Sequence, residues 1–240
     1  MDNGYSLLSI IALTLLAGLA MPAGALLANI RSESDSWLDN ELKHGVIAFG
    51  GGALLAAVAL ILVPQGIEHQ SIGSATLLFC AGGFSFMLID ILLYRFNTTA
   101  SQLIAMLSDF IPEALALGAA IAFNSNSAFL LALLMALQNL PEGFNAFYEL
   151  KQSTKLTSHQ LITIFTVLSL SGPIAGVSGF YLLANQPQIV SGIMLFAAGG
   201  ILYSVFQDIA PQAKLKQHWL PAFGAIIGFM LGIVGHMMIS

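Results

Sequence analysis

Apolar runs of about 20 residues recur from one end of this chain to the other, and no other feature narrows its fold so much. A run of that length crosses the hydrocarbon core of a bilayer as a helix. Eight are legible, roughly residues 5–29, 45–64, 72–94, 101–123, 127–150, 161–184, 189–209 and 219–239. Helices are the expected form, because they satisfy their own backbone groups and the runs lack the alternation of a barrel strand. Composition agrees: 57% of the residues are hydrophobic and 8% charged, with a mean hydropathy of +0.86, far from the balance of a soluble domain. The expectation is an all-α polytopic membrane protein, one transmembrane domain over residues 1–240. The formal charge of -5 says little about partners, because several acids lie inside apolar runs; nucleic acid is not expected. Cys80 is the only cysteine, which excludes an internal disulfide and a thiolate zinc cluster. The opening "MDNGYS" lacks the basic start of a signal peptide, so the first run is read as a retained span.

The positive charges orient these spans. Arg31 and Lys43 fall between spans one and two, Arg95 between three and four, Lys151 and Lys155 between five and six, Lys214 and Lys216 between seven and eight. All 7 Lys and Arg therefore share one side, while both termini and the connections near 65–71, 124–126 and 185–188 carry none. The positive-inside rule then places the basic loops in the cytoplasm and both termini outside it. The membrane expected is the inner or plasma membrane of a cell.

An internal repeat adds a second constraint. "FGGGALLAAVALILVPQG" from Phe49 aligns without gaps on "FAAGGILYSVFQDIAPQA" from Phe196, sharing the Phe, a Gly, a Leu, a Val and the closing Pro-Gln. Small residues face small residues at five further positions. Span two runs outward and span seven inward, so spans one to three and six to eight are read as inverted repeats, a 3+2+3 plan common in secondary transporters.

The central pair, spans four and five, carries the chemistry. "SDFIPEALALG" at 108–118 and "LQNLPEGFNAF" at 137–147 each hold a Pro-Glu pair near mid-span, with polar residues in the preceding turn. Asp109 and Glu113 are four apart and share a helix face, as do Gln138 and Glu142; Asn139 lies three before Glu142. Pro112 cannot donate to the Ser108 carbonyl, nor Pro141 to that of Leu137, which frees main-chain oxygens beside the acids. One reading is structural, with polar side chains joining helices through hydrogen bonds. Three carboxylates weigh against it: each costs about 2.5–3.5 kcal/mol at the bilayer centre, and no Lys or Arg lies within the spans to offset it. A bound cation or a proton relay is the stronger expectation. Asp90 and Asp208 near the cytoplasmic ends are weaker candidates for cation exit, and Glu68 and His69 for an outer entrance. His236 and Met87, Met106 and Met135 read as packing residues, and the glycines at 50–52 and 199–200 as sites of close helix approach.

At the two Pro-Glu motifs the chain resembles the ZIP (Zrt/Irt-like) family of divalent metal transporters, over essentially its whole length. That resemblance implies transport of zinc, iron or manganese toward the cytoplasm between helices four and five, with the ion as substrate and no organic cofactor. "QNLPEG" fits the family's second motif, so Gln138, Asn139 and Glu142 are implied as ligands. In "DFIPEA" Glu113 is retained, but Asp109 stands where the family usually has His, Phe110 where it has Asn and Ala114 where it has Gly. Gly172 before Pro173 replaces a Glu that binds a second metal in bacterial members. One ion is therefore expected, held by Asp109, Glu113, Gln138 and Glu142, with Asn139 as a further candidate. The all-oxygen donor set leans toward harder ions such as Mn²⁺ or Fe²⁺. The partners implied are the ion, the lipid bilayer and, as one option for assembly, a second copy in a homodimer. A membrane metal sensor that does not transport and a carrier for another small cation are the alternatives. An enzyme is not expected, since no His-Glu-x-x-His or Ser-His arrangement occurs within a span.

Overall fold

The computed structural model describes residues 7–30, 37–96, 101–122, 127–183, 185–215 and 219–239. Among them there is helix and no strand. The helices are α1 (Leu7–Ile30), α2 (Trp37–Ala57), α3 (Val63–Ile67), α4 (Ile72–Phe96), α5 (Ser101–Ala122), α6 (Ser127–Ser153), α7 (Ser158–Ser169), α8 (Ser171–Leu183), α9 (Pro187–Ser204), α10 (Ala210–Ala213) and α11 (Leu220–Ile239). A π-turn at Val58–Leu62 joins α2 to α3, and a second at Val205–Ile209 joins α9 to α10. Taken as continuous rods, the described residues form eight.

Six rods are long and apolar enough to cross a membrane: Leu7–Ile30, Glu41–Ile67, Ile72–Arg95, Ser158–Leu183, Pro187–Ala213 and Leu220–Met238. That is the signature of an integral membrane protein. Helices α5 and α6 are not among the six. They stand in the centre of the assembly, where Leu117 and Ala119 of α5 and Leu131 and Leu134 of α6 are fully buried, so other helices rather than lipid receive them. Both termini, Arg31, Lys216 and the connection at 124–126 lie outside the described residues.

Local sequence explains the irregularities. Pro64 and Pro211 each open the short helix after a π-turn. A proline ring clashes with the carbonyl four residues earlier and offers it no donor; widening the preceding turn, with Val63 N–H on Val58 O and Ala210 N–H on Val205 O, accommodates the ring. Leu170 interrupts the run expected to be continuous over 161–184. Pro173 cannot bond the Ser169 carbonyl, and the chain tightens through Leu170 N–H to Val167 O at 3.1 Å. Helix α7 starts at a capping box, in which Thr157 and Gln160 bond each other's backbone N–H.

The packing has the symmetry that the repeat implies. Helix α1 packs on α6 as α8 packs on α5, and α2 packs on α11 as α9 packs on α4. Each pair closes on a glycine: a Cβ on Gly24 would strike the Leu140 main chain, one on Gly118 that of Gly176, one on Gly52 that of Ala225 and one on Gly199 that of Phe79. Backbones this close gain dispersion contacts that larger residues would forbid. Gly51 lies by Ile209, Gly66 by Leu195, and Gln70 Nε2 donates to Gln188 O at 2.6 Å, so rods two and seven run antiparallel. The π-turns fall at equivalent places in the alignment, Val58 matching Val205 and Leu62 matching Ile209. Two groups result. Helices α1, α5, α6, α7 and α8 form one, and α2, α3, α4, α9, α10 and α11 the other; they meet where α2 lies on α6 and α9 on α5.

Candidate metal centre

The seam between these groups opens into a cavity of about 650 Å³. It lies toward the end that carries Lys43, Arg95, Lys151 and Lys214, and Asp109, Gln138, Glu142, Asp90, Ser204 and Asp208 are among its lining residues. Toward the opposite end the seam is filled: Ile61, Leu62, Leu117, Ile121, Leu131 and Leu134 are all essentially inaccessible. Asp109, Gln138 and Glu142 therefore line a recess that opens toward the basic end.

The α5 and α6 residues meet across this floor. Glu113 is completely buried, and Gln138 Nε2 donates to both of its carboxylate oxygens, at 2.7 and 2.6 Å. This uses the amide nitrogen and leaves Gln138 Oε1 buried without a hydrogen-bond partner. Glu142 Oε1, one helical turn further along α6, is also buried and without one. Asp109 Oδ1 accepts the Ser204 hydroxyl at 3.3 Å, a bond from one helix group to the other. Asp109, Glu113 and Glu142 are near enough to repel one another when ionised. Buried polar atoms normally find partners, and each orphan costs about 1–3 kcal/mol. Two orphan oxygens beside an acid-lined cavity suit an oxygen-seeking cation. Among the described residues, no three His, Cys, Asp or Glu side chains are already drawn together as a metal cluster. A metal held here would need the Gln138 amide as well as the acids, and would have to draw them closer together.

Asn139 takes a different direction from the expected ligands. Its Nδ2 donates to Ala17 O at 2.9 Å on α1, and it does not line the cavity. Neither Pro112 nor Pro141 ends its helix. Phe110 is fully buried and occupies the place where the resemblance expects an amide. Its ring lies against Gly18 and Gly172: a Cβ on Gly18 would come within 3.0 Å of Cζ, and one on Gly172 within 2.6 Å. The aromatic ring and the missing side chain at 172 are therefore complementary.

Asp90 and Asp208 are brought to the same cavity, with Tyr203 Oη donating to Asp90 Oδ2 at 3.1 Å. Glu68 and His69 are exposed at the far end of α3 and do not line it. Met135 is fully buried, while Met106 is buried and forms part of the cavity wall. Sequence reasoning passed over Ser204, Tyr203, Asn145 and Gln212. At the mouth Asn145 Nδ2 donates to Gln212 Oε1 at 2.6 Å, again between the two groups. One sequence signal pointed to Ser204: in the repeat it stands opposite Ala57, a hydroxyl where the other half has a methyl. No protein-family model and no curated protein matches this chain, so the functional reading rests on these residues themselves.

Proposed function

We propose that the protein carries a divalent transition-metal ion across the membrane toward the end bearing the basic loops, which the positive-inside rule assigns to the cytoplasm. In this reading all eight rods cross the bilayer, both termini lie outside the cytoplasm, and the chain is a divergent relative of the ZIP transporters. The observation that carries the proposal is the pair of buried, unpartnered oxygens, Gln138 Oε1 and Glu142 Oε1, on a cavity that Asp109 also lines. Asp109, Glu142 and Gln138 bind the ion, and Glu113 joins them if it exchanges the Gln138 amide for the metal. A cation offsets the burial of like charges that otherwise destabilises the site.

Transport follows from movement of one helix group against the other. The filled seam at the far end and the open one at the basic end describe one of two states; rocking the α1/α5–α8 group would exchange them. The Asp109–Ser204 and Asn145–Gln212 bonds cross between the groups and would break in that exchange. Uptake of Mn²⁺, Fe²⁺ or Zn²⁺ into vesicles containing purified protein tests the proposal: Glu142→Ala should reduce it to background, and uptake equal to that of the unmodified protein would sink the assignment. Because Phe110 and Gly172 offer no side-chain ligands, elemental analysis should find one ion per chain; two would contradict the single-site reading.

A second reading has its own support. Both Glu113 oxygens are held by Gln138, which suits a membrane metal sensor that binds an ion without moving it. Metal binding without flux in the same vesicles would select it.

A further inference from the structure

A second recess, of about 370 Å³, opens on the other side of the rod-seven π-turn. Its floor is made of small residues from three rods, Ala48 and Gly51 of α2, Ala213 of α10 and Ala225 of α11, with Ile47 packed against Ala48 and Ala213. Its rim is apolar and exposed: Phe206, Ala210 and Ala222 face outward. Among the described residues Lys214 is the only charged one in the lining, where α10 ends at the basic side.

We propose that this groove holds an acyl chain of an anionic phospholipid, with the lipid phosphate on Lys214. Three observations support that occupant over any other. The rim faces outward with apolar side chains, and the solvent of an integral membrane protein at that depth is lipid. The volume lies within the range of about 300–1,000 Å³ typical of ligand pockets, and the small-residue floor makes the groove a recess instead of an ordinary lipid-facing surface. The charge is complementary, because a lysine at the end of the apolar groove meets a phosphate at headgroup depth while its stem lies along the chain. The occupant also touches the functional cavity indirectly. Gly51 and Ile209 line both spaces, so a chain in the groove backs the wall on whose other side Gln207 and Asp208 stand.

The proposal is independent of metal transport and is tested by lipid retention. The unmodified protein is equilibrated with vesicles of equal phosphatidylglycerol and phosphatidylcholine, purified in mild detergent, and its retained phospholipids are quantified by mass spectrometry. Retained phosphatidylglycerol should exceed phosphatidylcholine about fivefold, the ratio expected for one lysine beside a headgroup of net negative charge instead of a zwitterionic one, whose choline offsets the phosphate. Lys214→Gln, at an exposed position, should return the ratio to about one while leaving the elution profile and helicity unchanged. Ala222→Phe, which fills the rim, should lower retention of both lipids. Equal retention by the unmodified protein, or a ratio indifferent to Lys214→Gln, overturns the proposal. So does efficient disulfide dimerisation of Ala222→Cys with loss of retained lipid, which would mean that a second copy covers the groove.

Discussion

Rods two and seven contain the same device used in opposite ways. Each has a π-turn followed by a proline, and the two turns correspond residue for residue. In rod two the turn reads "VALIL", and its Val58, Ile61 and Leu62 are buried in the filled far half of the seam. In rod seven it reads "VFQDI", and Gln207 and Asp208 line the cavity at the basic end. Because the rods run antiparallel, one turn lies in each half of the bundle. The repeat thus supplies a symmetric frame, and divergence within it makes one half a plug and the other a polar cavity wall. If the protein is the carrier proposed, this inequality belongs to one of its two states.

The strongest way to break this comparison is to give the plug the chemistry of the wall. Ile61 aligns with Asp208 and is 1% exposed. Ile61→Asp removes well-packed apolar volume and buries a carboxylate with no cation nearby, at a cost of about 3 kcal/mol or more. Little folded protein should be recovered, and thermal unfolding in detergent should shift strongly downward. A variant as stable as the parent would show that the far half of the seam is hydrated and not a plug.

The reciprocal change sharpens the contrast. Asp208→Ile makes the wall resemble the plug at a half-buried position. Replacing a partly desolvated carboxylate by an apolar side chain is neutral or stabilising, so the unfolding temperature should hold or rise. Metal uptake should fall on the order of tenfold, because the cavity loses part of the negative potential that concentrates cations. Unchanged uptake would remove Asp208 from the pathway and leave the site to Asp109, Gln138 and Glu142.

The same contrast separates what the sequence makes legible from what it does not. Membrane character follows from apolar length alone, and the repeat from "FGGG" and the two Pro-Gln pairs, since these are local patterns. The pairing of Glu113 with Gln138 was also within reach, because two Pro-Glu helices with polar residues one turn earlier have few other partners for them. The π-turns were not: one extra residue in a helical turn hardly disturbs hydrophobic periodicity, and it arises here from the prolines. The direction of Asn139 was not legible, because it is a main-chain carbonyl of α1, Ala17, that takes its amide hydrogen. The Phe110 ring fits Gly172 only after α5 and α8 pack, although each residue by itself departs from the motifs of the family the chain resembles.

The smallest expected effect lies at the residue where the two repeats differ by a single oxygen. Ser204 aligns with Ala57, so Ser204→Ala makes the rods alike at that position and removes the bond to Asp109 Oδ1. A side-chain hydrogen bond contributes about 0.5–1.5 kcal/mol net, and the 3.3 Å separation places this one at the weak end. Its role is orientation: Ser204 belongs to one helix group and Asp109 to the other, and the bond holds the carboxylate beside the cavity that both line. Loss of that restraint should raise the apparent KM for uptake about two- to threefold, with maximal rate and unfolding temperature nearly unchanged. A rise beyond about tenfold would instead make Ser204 a direct ligand, since orientation through so long a bond cannot supply more than about 1.4 kcal/mol. No change at all would mean that Asp109 is positioned by α5 alone, and the asymmetry between the halves would then rest on the π-turn side chains.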